Sequence, residues 1–324
     1  MLDEIKSFLG QDWKDVEELI RSYLSSDIEL LDKTNEAILS HAGKQLRPLI
    51  SLLVARACGG TANRDSICCA AASELLHNAT LLHDDVADMS TERRGVPTVM
   101  SILGGPASVL LGDYWLVKAV SAILSSSKSD RIIRIFAKTL GDLAEGEMLQ
   151  LQKAACCDTV EEDYFRIIYS KTASLFEASA TSAAISVDAP DRFVEAVREY
   201  AVSLGIAFQI RDDMLDYSDS KLTGKPSGID LEEQKITLPL LGALSATGPE
   251  QAGEIRAKLL DIQEKPEVKD EIRSFVIDGG GMDYSAIRLE EYVEKAIRAL
   301  EVLPDSKEKD YLVKIAAFTA ARER

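Results

Sequence analysis

The most constraining feature of this sequence is the spacing of its apolar residues, which recur three and four positions apart in one segment after another. That spacing puts them on one face of an α-helix. Two segments illustrate the pattern: Val16, Leu19, Ile20, Tyr23 and Leu24, and later Ile132, Ile133, Phe136, Leu140 and Leu143. Alternating runs, which are typical of strands, are absent from the sequence. The pattern therefore predicts an all-α chain.

Prolines and glycines indicate where the helices begin and end. Four prolines stand where a first helical turn could start: Pro48, Pro106, Pro190 and Pro266. Thr159 with Glu162 fits a capping box, while Gly59–Gly60 and Gly279–Gly281 are typical of helix ends. The one long break, residues 218–233, is a polar loop. We expect roughly a dozen helices in a single bundle that spans residues 1–324, rather than alternating strands and helices.

Composition narrows the function. Of the 324 residues, 46% are hydrophobic, enough for a large core. The 37 basic residues against 54 acidic ones give a net charge of −17, which disfavours a general nucleic-acid binder. The uncharged stretch from Gly95 to Gly112 contains two prolines and four glycines, so we expect no membrane span there.

Two further features predict a cytoplasmic protein. The sequence begins MLDEIKSFLG, with acids where a secretory signal would carry basic residues. The five cysteines are odd in number and include two adjacent pairs, Cys68–Cys69 and Cys156–Cys157. Such cysteines are typical of reduced packing residues.

Two aspartate pentads carry the chemistry. The first motif, residues 84–88, reads Asp-Asp-Val-Ala-Asp, and the second motif, residues 212–216, reads Asp-Asp-Met-Leu-Asp. Each ends an apolar helical run, and helical spacing puts its first and last aspartates on one face. Clustered carboxylates repel one another unless a cation neutralises them, and oxygen-only ligands suit Mg²⁺. The alternative is a pair of solvated acidic patches at helix ends.

Basic residues occur at a few specific places in this acidic sequence. Lys44 and Arg47 lie where a helix opens, and Arg93–Arg94 follow the first motif by five residues. Lys171–Thr172 precede a run of small residues, and Lys225 and Lys235 lie in or beside the polar loop. Singly, each is typical of a solvated surface. Together with two carboxylate clusters, they predict a site for a diphosphate.

With these motifs the sequence resembles the trans-prenyltransferases, also called all-trans polyprenyl diphosphate synthases, over nearly its whole length. The resemblance rests on six segments: GKQLRP (43–48), ELLHNATLLHDDVADMSTERRG (74–95), GDYW (112–115), SKTASLF (170–176), FQIRDDMLDY (208–217) and GKPSGIDLEEQKITLP (224–239). It implies an isoprenoid-synthase bundle with a central substrate cavity. It also implies repeated condensation of isopentenyl diphosphate with an allylic diphosphate.

The resemblance also implies roles for individual residues. Two to three Mg²⁺ ions would be held by Asp84, Asp88 and Asp212 directly, with support from Asp85, Asp213 and Asp216. The allylic diphosphate would be bound by Arg93, Lys171, Lys225 and Lys235. The homoallylic diphosphate would occupy a metal-free pocket of Lys44, Arg47, His77 and Arg94. Thr172 and Gln209 would face the carbocation. The catalytic roles would fall on Asp84, Asp88, Asp212, Lys171 and Arg93.

Two positions bear on these implied roles: His77, and Gln234, where the sequence differs from the family pattern. His77 lies two helical turns before Asp84 on the same stripe, although a lone histidine is more often a core or surface residue. Gln234 stands where the family often has glycine, and Glu232–Glu233 beside it lower the positive field around Lys235. Tyr217 is expected to be structural.

Product length is predicted from the residues before the first motif. Ala79 and Thr80 lie five and four positions before Asp84, where aromatic side chains in the family stop the growing chain early. Small residues here favour a medium-to-long product, with octaprenyl as the central expectation. Deeper positions are Leu76 and Ser73, and the floor would be Ile123 or Ile135.

Several alternatives remain open. One is a short-chain farnesyl or geranylgeranyl diphosphate synthase, and another is a non-catalytic subunit of a heteromeric prenyltransferase. A cyclase or head-to-head coupling enzyme would not need Lys44, Arg47 and Arg94 for a second diphosphate. A homodimer is implied by the resemblance alone.

Overall fold

A computed structural model of the chain describes residues 1–93, 95–218 and 228–321. Arg94 and Lys225, both predicted to bind diphosphate, lie outside the described residues. The described chain is almost entirely helical, so the prediction of an all-α fold is confirmed.

The helices before the first long connection are α1 (Leu2–Leu9), α2 (Gln11–Leu24), α3 (Glu29–Ser40), α4 (Leu46–Gly59), α5 (Arg64–Ala87), α6 (Val99–Leu103), α7 (Gly105–Leu124) and α8 (Ser129–Cys156). Those that follow are α9 (Glu161–Ile168), α10 (Ser174–Ser186), α11 (Asp191–Asp216), α12 (Ile229–Glu232), α13 (Leu238–Ser245), α14 (Pro249–Leu260), α15 (Val268–Asp278), α16 (Gly281–Ala299) and α17 (Lys307–Ala321). A π-helical turn, Tyr169–Ala173, joins α9 to α10, and a 3₁₀ turn, Leu300–Val302, follows α16.

One small hairpin departs from the helical pattern. Strands β1 (Glu92–Arg93) and β2 (Val96–Pro97) pair antiparallel, with Arg93 opposite Val96. Gly95 lies between them at φ +77°, a conformation that glycine adopts without steric cost. Strands of two residues are too short to show alternation, which explains why no sequence pattern indicated them.

The predicted helix boundaries are confirmed at some positions and wrong at others. Pro48 and Pro106 lie in the first turns of α4 and α7, Pro190 directly precedes α11, and Pro266 lies two residues before α15. The capping interaction before α9 is one residue later than predicted, because Asp163 Oδ2 accepts the backbone N–H of Val160 at 3.2 Å. The expected polar loop contains the short helix α12, and residues 219–227 of that loop lie outside the described residues.

The chain divides into two compact units. The first comprises residues 1–137, 178–198 and 302–312, and the second comprises residues 138–177, 199–301 and 313–324. The prediction of one domain over 1–324 stays a prediction.

The first unit is organised around α5, which packs against α2, α4 and α7. Nearly every residue of α5 between Ser66 and Ala79 is buried, so this helix has neighbours on all sides rather than on one face. A buried hydrogen-bond chain joins α7 to α3 and α2. Trp115 Nε1 donates to Asn35 Oδ1 at 2.8 Å, and Asn35 Nδ2 donates to the carbonyl of Leu24 at 2.8 Å.

The core of the second unit lies around α13, whose residues from Leu238 to Leu244 are all buried. This helix packs against α15 and α16. Arg273 of α15 donates from Nε and Nη2 to the carbonyl of Tyr217, at 3.2 and 3.0 Å, and so holds the residue that follows the second motif.

Candidate active site

The first motif lies at the end of α5. The helix begins at a capping box, in which Asn63 Oδ1 accepts the backbone N–H of Ser66 at 2.8 Å. Its last turn contains Asp84 and Asp85, and Asp88 follows directly, with its N–H bonded to the carbonyl of Asp84 at 2.8 Å. No basic residue lies in that turn. Because a helix carries partial negative charge at its C-terminus, carboxylates there favour the approach of a cation.

A hairpin supplies one cation to this helix end. Arg93 of β1 donates from Nε to Asp85 Oδ1 at 2.8 Å, and Asp85 is only 4% exposed. Arg93 lies eight residues after Asp85, and its pairing with Val96 fixes the strand from which it makes this contact. A guanidinium has five N–H donors, so this contact leaves donors of Arg93 available for an anion.

The second motif occupies the last turn of α11, which also lacks a basic residue. Asp213 is buried, and both of its oxygens accept hydrogen bonds: Oδ2 from Tyr164 Oη at 2.6 Å and Oδ1 from Gln209 Nε2 at 2.8 Å. Burial raises the pKa of Asp213 to about 7, against these hydrogen bonds, which lower it.

Asp216 joins the second motif to α12. Its two carboxylate oxygens accept the backbone N–H groups of Ile229 and Asp230, each at 3.1 Å. Burial raises the pKa of Asp216, and the backbone hydrogen bonds oppose that shift. This carboxylate therefore fixes the chain segment that leads to Lys235.

Lys171 and Thr172 lie on the π-helical turn. Thr172 Oγ1 donates to Gln209 Oε1 at 2.7 Å, and Lys171 Nζ lies 2.5 Å from Glu147 Oε2 of α8. Two glycines permit this close packing. A Cβ on Gly146 would lie 2.5 Å from Ser170 Cβ, and one on Gly205 would lie 2.5 Å from Ala173 Cα. π-Helical turns within helices are frequent at functional sites.

The Lys235 segment explains the departure at Gln234. Gln234 has a φ of +59°, a left-handed conformation that glycine adopts most readily. Its side-chain Nε2 donates to the carbonyls of Leu259 and Leu260, at 3.3 and 3.0 Å, which holds the strained residue in place. Lys235 itself pairs with Glu233, and its N–H donates to the carbonyl of Asp230 at 2.8 Å.

The predicted homoallylic residues that the structure describes lie in the first unit. Lys44 precedes α4, Arg47 lies in its first turn, and between them Gln45 has a left-handed φ of +52°. Lys6 Nζ of α1 donates to Gln45 Oε1 at 2.9 Å, which supports this turn. His77 is half-buried on α5. Lys6 is a supporting residue that sequence reasoning missed, because a single lysine in an amphipathic helix gives no signal.

The donor chemistry of each aspartate motif suits Mg²⁺. Among the residues that the structure describes, no group of three or more His, Cys, Asp or Glu side chains is arranged to hold a metal by itself. Mg²⁺ commonly takes only one or two carboxylates from the protein and completes its octahedron with water and substrate phosphate. Asp84 with Asp88, and Asp212 with its neighbours, offer this oxygen-only donor set.

The predicted chain-length residues lie on α5 and two other helices. Ala79 is 1% exposed and Thr80 is half-buried, with its hydroxyl bonded to the carbonyl of His77 at 2.8 Å. Leu76, Ser73 and Ile123 are buried, and Ile135 is half-buried. Cavities of about 360 and 490 Å³ lie on α2–α3 and on α13–α15, and neither is lined by residues of the aspartate motifs.

Comparison with known proteins decides the family. Residues 28–276 match the polyprenyl synthetase family. This chain belongs to the polyprenyl synthetase family. The prediction of a trans-prenyltransferase is thereby confirmed, and the polyprenyl synthetase is an enzyme that condenses isopentenyl diphosphate with allylic diphosphates.

Relatives of this polyprenyl synthetase match it over its full length. It is 38% identical to the octaprenyl diphosphate synthase of Escherichia coli strain K12, covering 100% of this chain and 99% of that protein. It is 36% identical to an all-trans-nonaprenyl-diphosphate synthase of Rhodobacter capsulatus, covering 98% and 97%. It superposes with a TM-score of 0.91, at 34% identity, on a polyprenyl synthase from Caulobacter crescentus CB15 complexed with calcium and isoprenyl diphosphate, covering 100% and 98%.

One helix of the polyprenyl synthetase meets a simple test for a membrane span. In the described chain, α7 is long and apolar enough to cross a bilayer by length and composition. Core helices of soluble proteins pass the same test, so the prediction of no membrane span stays a prediction.

Proposed function

We propose that this polyprenyl synthetase is a Mg²⁺-dependent enzyme that makes a medium-to-long all-trans polyprenyl diphosphate, with octaprenyl as the central product. The observation that carries the proposal is the presence of two aspartate motifs, each at the C-terminal end of a long helix without a basic residue in its last turn. Full-length relatives named for eight-unit and nine-unit products support the length.

Two or three Mg²⁺ ions would be held by Asp84, Asp88 and Asp212. When bound, the ions would stabilise the negative charge of the departing diphosphate. Asp85, Asp213 and Asp216 would support these three metal-binding aspartates. Their observed contacts with Arg93, with Tyr164 and Gln209, and with the backbone of α12 suit that supporting role.

The cations would divide between two diphosphates. Arg93, Lys171, Lys225 and Lys235 would bind the allylic diphosphate. Lys44, Arg47, His77 and Arg94 would bind the homoallylic diphosphate. Arg93, Lys171 and Lys235 each contact a carboxylate in the described chain. A bound diphosphate would therefore compete with Asp85, Glu147 and Glu233 for these cations.

The carbocation would be faced by Thr172 and Gln209, which already form one hydrogen bond at 2.7 Å. Neither group is a strong nucleophile, so they can stabilise positive charge without trapping it. Proton removal after coupling would fall to the released diphosphate, so no protein base is assigned.

The product-length hypothesis is tested at Ala79. Replacing it by Leu and then by Tyr should shorten the product stepwise, because a larger side chain on α5 would block the growing tail. Products are dephosphorylated and separated by chromatography after reaction with farnesyl diphosphate, isopentenyl diphosphate and Mg²⁺. Ala317→Tyr, the same change at an exposed alanine of α17, is the matched control and should leave the product unchanged. An unaltered product in Ala79→Tyr would contradict the tunnel assignment, and short products from the wild-type chain would favour the short-chain alternative.

We also propose a homodimer. Large apolar side chains on α6 and α7 are exposed: Ile102, Leu103, Val109, Leu110, Val117 and Leu124. On α8, Met148 and Leu151 are exposed one turn apart. Exposed apolar patches of this kind are typical of interaction surfaces. Sedimentation equilibrium should give a dimer, and the Leu110→Glu, Val117→Glu double variant should dissociate it. Monomers that float with liposomes instead would assign the α7 face to a membrane.

A cytoplasmic location is proposed on the state of the cysteines. Cys58, Cys68, Cys69, Cys156 and Cys157 are all free thiols, which is typical of proteins from reducing compartments. The alternative of a non-catalytic subunit is distinguished by assay of the chain alone, since such a subunit would not elongate the substrate without its partner.

A further inference from the structure

One hydrogen-bond chain in the second unit ends on a residue that lies outside the sequence motifs. Tyr164 of α9, 3% exposed, donates its phenolic proton to Asp213 Oδ2 at 2.6 Å. Asp213 Oδ1 accepts from Gln209 Nε2 at 2.8 Å, and Gln209 Oε1 accepts from Thr172 Oγ1 at 2.7 Å. Four side chains from α9, α11 and the π-helical turn thus form one continuous chain.

The chemistry of the groups fixes the direction of this chain. The amide nitrogen of Gln209 can only donate, and it lies 2.8 Å from Asp213 Oδ1, so that oxygen accepts this hydrogen bond. Since the Gln209 amide donates through its nitrogen, its oxygen is left to accept, and the Thr172 hydroxyl must be the donor. The Thr172 proton is therefore committed to Gln209. The hydrogen-bond chain does not use the lone pairs of the Thr172 oxygen.

Packing holds the chain in this arrangement. Tyr164 is buried, with its ring 5.3 Å from that of Phe165 in an edge-on contact. Gly205 lets α11 approach the backbone of the π-helical turn, because a Cβ there would lie 2.5 Å from Ala173 Cα. The tyrosine and the two helical segments therefore have little room to change their relative positions.

We propose that Tyr164 is a positioning residue for prenyl transfer. By anchoring Asp213 it orients Gln209, and through Gln209 it makes Thr172 present its lone pairs to the developing allylic cation. A dipole stabilises a transition state most when it is oriented before the charge develops. The inference rests on the proposed roles of Thr172 and Gln209 and adds the residue that orients them.

The first test is Tyr164→Phe, which removes one hydroxyl and keeps the ring. We expect kcat to fall by about tenfold while KM for both diphosphates stays within about twofold, because the lost orientation acts on the transition state and not on substrate binding. Tyr284→Phe is the matched control. Its hydroxyl also donates to a carboxylate at 2.6 Å, that of Glu161, but outside this chain, and its kcat should not change.

A double-mutant cycle separates positioning from packing. If Tyr164 acts through Thr172, then Tyr164→Phe should lower kcat by less than about threefold in a Thr172→Val background. The proposal would be overturned if the kcat losses of Tyr164→Phe and Thr172→Val multiplied independently in the double variant. It would also be overturned if Tyr164→Phe kept the wild-type kcat, or if it changed only KM. If Tyr164→Phe unfolds, Tyr164→Met, which also removes the hydroxyl and keeps a large apolar side chain, replaces it in the same cycle with the same expected coupling. A wild-type chain that transfers no prenyl group would instead contradict the proposed function, which keeps the two failures distinct.

Discussion

The two aspartate motifs have the same pattern in the sequence but different supporting contacts in the structure. At the first motif, the middle carboxylate is paired with a guanidinium, because Arg93 reaches back from the hairpin to Asp85. At the second, the middle carboxylate is held by a phenol and an amide, those of Tyr164 and Gln209. The last aspartates differ as well. Asp88 is exposed, whereas Asp216 accepts two backbone N–H groups from α12.

The difference shows that one pattern of carboxylates can be supported in two ways. A charged partner neutralises Asp85, whereas neutral donors leave the charge of Asp213 uncompensated, and burial raises its pKa to about 7. Of the two middle carboxylates, Asp213 therefore has the less favourable surroundings for a negative charge. The contacts of the second motif with a buried phenol and with backbone N–H groups of α12 also predict that it is the more rigid of the two.

The largest expected effect comes from replacing one proposed metal ligand in each motif, which tests whether the two motifs have the same function. Asp84→Asn and Asp212→Asn should each lower kcat/KM by about 10³-fold or more, because each removes a charge that holds Mg²⁺ against the diphosphate. Asp305→Asn, at a fully exposed aspartate, is the control and should be neutral. If either motif variant kept more than about a tenth of wild-type activity, the two motifs would not share one function.

The pH dependence of stability separates the motifs next. The folded-state pKa of Asp213 is raised to about 7 from 3.8, so the folded protein binds this proton more tightly than the unfolded chain. The contribution of Asp213 to wild-type stability should therefore fall as pH rises from about 4 to 7. Asparagine does not ionise. The free energy of unfolding of Asp213→Asn, relative to wild type, should thus rise by up to about 4 kcal/mol across that window. Urea unfolding with a chelator at pH 5 and pH 8 measures it, and parallel pH profiles would contradict the assignment.

The charge partner of the first motif gives a smaller effect. Arg93→Gln removes the cation from the buried carboxylate of Asp85, and we expect a loss of activity of about 10–100-fold with a higher Mg²⁺ requirement. Arg21→Gln is the control, because the pair that Arg21 forms with Glu36 is more than half exposed and such pairs contribute little. If Arg93→Gln and Arg21→Gln lowered the activity equally, the proposed supporting role of Arg93 would be wrong.

The smallest expected effects compare rigidity beside the two motifs. Gly205→Ala on α11 would force a Cβ against the backbone of Ala173, and overpacking of this kind costs about 1–3 kcal/mol. Gly112→Ala on α7 would meet the ring of His83, next to the first motif. That ring is partly exposed and can turn aside, so we expect a cost of less than about 1 kcal/mol. Thermal unfolding of both variants checks the order, and the reverse order would contradict the rigidity contrast.

Local spacing made part of this site predictable. The helices, the two aspartate motifs and their positions at helix ends follow from periodicity within a few turns. Gln209 and Asp213 are four residues apart on one helix, so helical spacing also predicts that their side chains are neighbours. The contact of Tyr164 with Asp213 is not predictable in this way, because 49 residues separate them and a buried tyrosine in an amphipathic helix is typical of core packing. Arg93 was expected at a diphosphate, but its pairing with Asp85 depends on a hairpin with strands of only two residues.

The departure at Gln234 is instructive in the same way. The sequence shows only that glutamine stands where the family often has glycine. The left-handed backbone at that position explains the family preference, and the hydrogen bonds of the Gln234 side chain to the end of α14 explain how glutamine is accommodated. Both depend on tertiary contacts that no local pattern encodes.

The central claim is that two helix ends lined with aspartates bind magnesium and so release diphosphate from an allylic substrate. It is tested most directly by chromatography of the products formed by the purified chain from farnesyl diphosphate and labelled isopentenyl diphosphate. With Mg²⁺ the label should appear in a long prenyl chain centred on eight units, and with a chelator it should stay in the starting material. Elongation that persists without divalent metal, or no elongation when Mg²⁺ is abundant, would contradict the account.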